Sequence, residues 1–170
     1  FSNFGLAARD LRGKFDFRWA VSARGVSDYT GACPLDERWL EQACRMYAVF
    51  AELRPGAMWL DDDVQARFRG EIRGACFCSV CLDEMARRTG RARDRDELLR
   101  AVLADPPNPV REIWLRFQEA IMLRIVSRLR EAVHAVSPET RMGVMHSNLE
   151  THFAEGRRWA AHMKAACGPH

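Results

Sequence analysis

The chain has 170 residues, of which 48% are hydrophobic and 29% charged, so one domain can bury roughly 70% of its unfolded surface. The formal charge of +3 comes from 26 basic and 23 acidic residues. The arginines are spread along the chain rather than clustered, which argues against nucleic acid as a partner. No apolar run approaches the roughly 20 residues of a bilayer span, so no membrane partner is expected.

The first third of the chain is predicted to hold an extended arm, a loop and one helix. Residues 15–21 alternate in polarity, as a strand or extended arm does. Residues 22–34 are rich in Gly, Ser, Asp and Thr, which predicts a surface loop. Asp36 is placed to cap a helix whose apolar period of 3.6 continues to about Leu53, and Pro55 stops it.

Three consecutive carboxylates follow a short apolar run at residues 57–60, which predicts a buried parallel strand ending at Asp61. Side chains alternate along a strand, so Asp61 and Asp63 should share one face and Asp62 the other. Ligand sites in α/β sheets lie at the carboxyl ends of strands, which favours an acid/base site here. The alternatives are a solvated loop or helix cap, and a Mg²⁺ or Ca²⁺ site built from the three carboxylates.

A second chemical signal is the Cys-x-Cys-x-x-Cys of Cys76, Cys78 and Cys81, which suits a tight turn entering a helix and a tetrahedral zinc site. We expect the fourth ligand to be Cys33, which lies in a loop, rather than Cys44, which lies within the first helix. Reduced structural thiols or a redox relay are the alternative, and the spacing fits iron–sulfur clusters poorly. Reduced or metal-bound thiols favour a cytoplasmic location.

Three helices are predicted after the cysteines. The first ends at Gly90, a residue typical of a helix C-terminus. The second begins at Asp94 or Asp96 and continues through Val102. A proline-rich break then leads to the longest helix, residues 110–136, whose apolar stripe predicts core packing.

A second short buried strand is predicted at residues 142–145. Its carboxyl end places His146 and Asn148 at the same sheet edge as the aspartates, because strands separated by helices pair in parallel. The last helix is predicted from residue 154 to residue 166, with its large apolar residues facing inward: Trp159 and Met163.

The predicted fold class is therefore α/β, with too few strands to close a barrel, which takes eight strands and about 250 residues. The chain is expected to be part of a larger sheet. An uncovered strand edge and unpacked helix faces would then favour low stability or association into a homo-oligomer.

The order of the motifs resembles the middle of the (β/α)8-barrel β-galactosidases of glycoside hydrolase family 42 and related bacterial barrel proteins. The resemblance extends from about Phe17 to Cys167 and rests on three segments and the strand after Pro138: Gly31-Ala32-Cys33-Pro34-Leu35-Asp36, Trp59-Leu60-Asp61-Asp62-Asp63 and Cys76-Phe77-Cys78-Ser79-Val80-Cys81. It implies a partial (β/α)8 TIM barrel, from the loop of the third strand to the fifth helix.

The resemblance also implies roles for individual residues. The four cysteines at positions 33, 76, 78 and 81 correspond to the ligands of a structural zinc. Asp63 corresponds to the acid/base glutamate, with an arm one methylene shorter, and Asp62 replaces an amide that contacts the sugar. Asp61, His146 and Asn148 would shape the subsite for a carbohydrate substrate. The family's nucleophile, a carboxylate of the seventh strand, has no candidate in these residues.

Two hypotheses follow from these residues. In the first, the intact protein hydrolyses an O-glycosidic bond with Asp63 as the acid/base, and this part alone is inactive. In the second, the protein is a non-catalytic, zinc-stabilised barrel module that binds carbohydrate or a cation without turnover.

Overall fold

A computed structural model describes residues 13, 16–61, 76–146 and 156–168. The strands within these ranges are β1 (Trp19–Val21), β2 (Ser27–Ala32), β3 (Ala57–Leu60) and β4 (Arg141–Val144). The helices are α1 (Glu37–Ala51), α2 (Ser79–Thr89), α3 (Arg95–Leu103), α4 (Pro109–Val136) and α5 (Trp159–Cys167). In these ranges the strands form two separate pairs, antiparallel β1–β2 and parallel β3–β4, and no closed barrel.

The parallel pairing predicted for the two short strands is confirmed. The expected burial of β3 is wrong, because Ala57 and Trp59 are exposed and only Leu60 is buried. The register runs from Ala57 opposite Arg141 to Leu60 opposite Val144. The second strand begins and ends one residue earlier than predicted, but the backbone N–H of Met145 still donates to the carbonyl of Leu60 at 2.7 Å. The chain therefore leaves both strands at the same edge of the sheet.

The two faces of the β3–β4 sheet differ in what covers them. Leu60, Met142 and Val144 are buried in the main core. On the other face Trp59 is 60% exposed, and Met145, just past β4, is 49% exposed. A Cβ atom at Gly143 would lie 2.6 Å from the Trp59 ring, so the indole lies directly over this glycine. Helices thus cover one face of this sheet within the described residues.

Among the described elements, helix α4 supplies more residues to the core than any other, and most of its predicted apolar stripe is buried. The buried members of the stripe are Trp114, Phe117, Ile121, Ile125, Leu129 and Val133. Val136, at the end of the helix, is 38% exposed. Helix α1 packs along α4 through Leu40, Ala43 and Tyr47, which belong to the same buried cluster. The 3.6-residue period therefore identified the inward face of this helix correctly.

The ends of α2 and α3 follow their predicted capping signals. Gly90 adopts a left-handed conformation with φ 67° directly after α2. Asp94 caps α3, because its carboxylate accepts from the backbone N–H of Glu97 at 2.8 Å. The Glu97 side chain accepts in turn from the backbone N–H of Asp94 at 3.1 Å, which completes a capping box.

The prediction of a surface loop over residues 22–34 is wrong in part. Its first residues do form a turn, in which the Ser22 hydroxyl oxygen accepts from the backbone N–H groups of Arg24 and Val26. Residues 27–32, however, form β2, which pairs with β1. Ser, Asp and Gly have low strand propensity, but a paired neighbour outweighs that preference. The result is a hairpin that ends next to Cys33.

The last helix begins later than predicted and exposes the residues that were expected to face inward. It starts at Trp159, and residues 154–155 lie outside the described part of the chain. Trp159 is 49% exposed and Met163 is 40% exposed, whereas His162 and Ala166 are buried. The buried face thus passes through a polar residue, which a pattern of apolar residues does not reveal.

None of the helices in the described ranges combines the length and the apolar character that crossing a membrane requires.

Candidate functional site

The four predicted cysteines come together in the structure. The Sγ atoms of Cys33, Cys76, Cys78 and Cys81 all lie within 4.8 Å of one another, and all four residues are buried. Cys33 follows β2, whereas the other three lie at the entry to α2. Cys44 takes no part, since its thiol points at the carbonyl of Arg128, 3.5 Å away.

A hydrogen-bonded turn around Asp36 places Cys33. The Asp36 carboxylate caps α1 by accepting from the backbone N–H of Trp39 at 3.0 Å, and it also accepts from the backbone N–H of Arg18 at 2.6 Å. The backbone N–H of Cys33 donates to the Arg18 carbonyl at 2.7 Å, and that of Asp36 donates to the Cys33 carbonyl at 2.9 Å. One buried carboxylate therefore fixes the hairpin, the start of α1 and Cys33 together.

The other three cysteines are tied to the same hairpin. The backbone N–H of Phe77 donates to the carbonyl of Val21 at 2.8 Å. The Sγ atom of Cys76 accepts from the backbone N–H groups of Val21 and Cys78, each at 3.4 Å. Backbone donors of this kind stabilise negative charge on sulfur, as they do around bound thiolates.

Hydrogen bonds among the four thiols shift their pKa values in opposite directions. Hydrogen bonding with Cys33 lowers the pKa of Cys76 and also the pKa of Cys78. Hydrogen bonding with Cys76 raises the pKa of Cys33, and hydrogen bonding with Cys33 raises the pKa of Cys81. Hydrogen bonds within the cluster therefore favour thiolate on Cys76 and Cys78, although burial opposes it, and thiolate is the form that binds metal.

The size of the cluster suits one metal ion. Ligands 2.3 Å from a tetrahedral ion lie about 3.8 Å from each other. The Sγ atom of Cys33 lies 3.6 Å from that of Cys81 and 3.5 Å from that of Cys78. Four sulfurs at this spacing, with no other ligand type among them, could hold a soft or borderline ion such as zinc.

The strand edge holds the predicted residues that fall within the described ranges. Asp61 directly follows β3, and His146 lies two residues after β4 in the parallel pair. Asp62, Asp63 and Asn148 lie outside the described residues, so their predicted roles stay predictions.

Tyr47 of α1 is a neighbour of this edge that the sequence did not single out. Burial raises the pKa of Tyr47 to about 12, and the negative charge of Asp61 adds to the effect. The phenol therefore keeps its proton at neutral pH, and it stands within electrostatic range of the Asp61 carboxylate. The helical period identified Tyr47 only as an inward-facing core residue.

Two further residues of the edge, Trp159 and His162, were also missed as functional candidates. The ring of His146 stacks on that of Trp159, with centroids 5.2 Å apart and planes 29° apart. His162 meets His146 edge-on at a centroid distance of 5.2 Å. Trp159 and His162 are three residues apart on α5, so they share a helix face. That spacing was the available signal, but Trp159 was expected to face the core, so its pairing with His162 was not considered.

Comparison with known proteins identifies no family. No protein-family model, curated protein or solved structure matches this chain. Function is therefore inferred from the chemistry of the cysteine cluster and of the residues at the edge of the β3–β4 sheet.

The first testable prediction concerns Asp36, which is 6% exposed. Burial alone would raise its pKa, but the N–H groups of Arg18 and Trp39 and the Arg38 guanidinium outweigh burial and hold the pKa below its usual value. Replacing Asp36 with alanine should therefore cost about 1–3 kcal/mol of unfolding free energy. Replacement with asparagine should cost less, because the amide oxygen can still cap α1. Urea denaturation measures both.

The same carboxylate should make stability depend on pH. Because its pKa is lower in the folded state, its contribution is complete above the unfolded pKa of about 3.9 and is lost as the pH falls through the folded pKa. The native protein should lose more stability on acidification than Asp36→Asn does. Asp105→Asn, at an exposed position, is the control. Equal acid sensitivity in the native protein and Asp36→Asn would contradict the assignment.

Proposed function

We propose that Cys33, Cys76, Cys78 and Cys81 hold a structural zinc ion. The observation that best supports this proposal is that the four buried Sγ atoms lie within 4.8 Å of one another. Four thiolate ligands close a tetrahedral site, so the ion would join the β1–β2 hairpin to the start of α2 and leave no position open for substrate.

We further propose that the chain is the central part of a (β/α)8 barrel. The parallel β3–β4 pair, with α2, α3 and α4 between its strands, supports this arrangement. The exposed Trp59 and Met145 support it as well, since the inner face of a barrel strand packs against residues of the other strands. Further strands of the same barrel would cover this face.

The proposed activity is hydrolysis of O-glycosidic bonds at the carboxyl edge of β3 and β4. Asp61 and His146 support this placement. Asp61 follows β3 and His146 follows β4, so both lie beyond the carboxyl ends of neighbouring parallel strands, where barrel enzymes bind substrate. In this proposal Asp63 donates a proton to the leaving oxygen, and Asp61, Asp62, His146 and Asn148 position the sugar. A retaining enzyme also needs a nucleophilic carboxylate about 5.5 Å from the acid/base, and another strand of the barrel would supply it.

The experiment that tests the activity is replacement of Asp63 with asparagine in the complete enzyme. An amide of nearly the same shape cannot donate the proton, so hydrolysis of glycosides with poor leaving groups should fall about a hundredfold. An activated aryl glycoside should be affected much less in its first step, because its leaving oxygen needs no proton. Steady-state rates on both substrate types measure the difference.

Two variants serve as comparisons. Asp62→Asn should be tolerated better than Asp63→Asn, because an amide occupies that position in the enzymes that the motif resembles. Glu139→Gln, at an exposed position, should leave both rates unchanged. Equal losses at all three aspartates, with activity dependent on added Mg²⁺ or Ca²⁺, would contradict the proposal and favour a cation site.

A further inference from the structure

The outward face of α1 carries exposed apolar residues. Met46, Val49 and Leu53 are 39%, 59% and 80% exposed, whereas Leu40 of the same helix is fully buried. Val49 follows Leu40 by nine residues, and nine steps of about 100° place two residues on opposite sides of a helix. Val49 therefore points directly away from the core. Leu53 lies in the turn that ends α1, where its backbone N–H donates to the carbonyl of Phe50 at 3.2 Å.

The helices of the proposed barrel would leave this face uncovered. Helix α4 packs along one side of α1, where Glu37 pairs with Arg124 and Arg128. Helices of a (β/α)8 barrel form a ring around the strands, so each has neighbours at its sides while its outward face meets solvent. Contiguous apolar residues on such a surface commonly mark contacts with another protein molecule.

The spacing of this face fits a pair of helices. A seam with intervals of four, three and four residues, as in a coiled coil, runs along it through Gln42, Met46, Val49 and Leu53. Arg45 and Glu52 border the seam on one side, and both are exposed. Arg45 donates to the neutral side chain of Gln42 at 2.8 Å, and Glu52 has no ion-pair partner within the described residues. Seven residues separate the two charges, about 10 Å along the axis, so they do not pair with each other.

Two copies of α1 that lie antiparallel match these charges. When Met46 of one copy lies opposite Val49 of the other, Arg45 of each copy comes next to Glu52 of the second, and twofold symmetry forms this ion pair twice. A parallel arrangement sets identical residues at the same level, so neither charge meets its opposite. The charge pattern therefore favours a second copy of this chain, in the antiparallel orientation, over a partner of another sequence.

We infer that the outward face of α1 is the contact between two copies of this protein, related by a twofold axis. Met46, Val49 and Leu53 form its apolar centre, and Arg45 and Glu52 pair at its rim. The contact is independent of the proposed zinc and carbohydrate sites. A helix of 15 residues is only about 22 Å long, which makes the interface small, so the dissociation constant should lie in the micromolar range.

Sedimentation velocity of the complete protein at increasing concentration tests this inference. The native protein should pass from monomer to dimer between about 0.1 and 100 μM. Val49→Glu places a charge in the apolar centre and should raise the dissociation constant at least about tenfold. Leu103→Glu, at a similarly exposed residue of α3, is the matched control and should dimerise as the native protein does. Both residues are exposed, so both variants should keep a native thermal melt, which separates a lost contact from a lost fold.

Charge reversal tests the antiparallel orientation. Arg45→Glu and Glu52→Arg each bring like charges together at the rim, so each should raise the dissociation constant about fivefold. The double variant restores both ion pairs with reversed polarity and should recover most of the native affinity. A double variant weaker than either single one would overturn the antiparallel pairing. A native protein that stays monomeric over the whole range, or a Val49→Glu protein that dimerises as tightly as the native one, would overturn the interface.

Discussion

Replacing Cys81 with serine should lower the metal content and markedly destabilise the protein. The native protein is expected to contain about one zinc ion per chain, and each ligand is necessary for a closed tetrahedral site. Binding of structural zinc contributes directly to folding, so loss of a ligand should lower the Tm by roughly 10 °C or more. Elemental analysis and thermal denaturation measure the two effects. Chelation or acidification should act in the same direction, because protons compete with the metal for thiolate.

Cys44 provides a matched control for this prediction. It is a partly buried cysteine of α1, and its thiol contacts a backbone carbonyl rather than the cluster. Cys44→Ser should therefore keep the metal and nearly the native Tm. Serine at position 33 should behave as serine at position 81 does. If Cys33→Ser keeps its full zinc content, Cys33 is not a ligand. If the native protein contains stoichiometric iron instead of zinc, the assignment of zinc is wrong.

The cysteine cluster was predictable because its geometry is mostly local. Cys76, Cys78 and Cys81 fall within one turn at the start of a helix, and that turn alone brings three sulfurs together. The choice of Cys33 over Cys44 followed from a second local argument, since a thiol inside a helix has a fixed direction whereas a loop thiol can approach. The structure brings these same four cysteines together, and their role as metal ligands stays a prediction.

The hairpin was not predictable from local preferences. The strand character of residues 27–32 depends on hydrogen bonds with β1, because Asp28 and Gly31 disfavour a strand and offset the preference of Tyr29 and Thr30 for one. The parallel pair was easier to recognise, because each strand is a short apolar run between turn residues and the separating helices limit how the two can pair.

The stack at the strand edge was missed because the phase of α5 was misjudged. The large apolar residues Trp159 and Met163 were expected to face inward, whereas α5 buries His162 and Ala166 instead. A buried histidine carries no hydrophobic signal, so periodicity could not correct the error. Contacts between β4 and α5, distant in sequence, determine which face is covered.

The turn that leads into α5 depends on a glycine, and Gly156→Ala should have the second large effect. Gly156 has a φ of 72°, which disfavours any side chain, and a Cβ atom there would lie 2.3 Å from the carbonyl carbon of Gln118 and 2.5 Å from its carbonyl oxygen. These are backbone atoms in the middle of α4, so they cannot move aside as a flexible side chain would. We expect a loss of about 3–5 kcal/mol in unfolding free energy.

Gly90→Ala separates the two causes of that loss. Gly90 has a similar φ of 67°, but nothing lies within 4 Å of the position of an added Cβ atom. Its replacement should therefore cost only about 1 kcal/mol, the price of the left-handed conformation. Urea denaturation of both variants gives the difference, which measures the close approach of Gly156 to α4. Because Gly156 lies three residues before Trp159, its replacement should also displace the stack on His146 and alter the Trp159 indole signal. Equal, small losses in the two variants would show that the turn does not contact α4 as described.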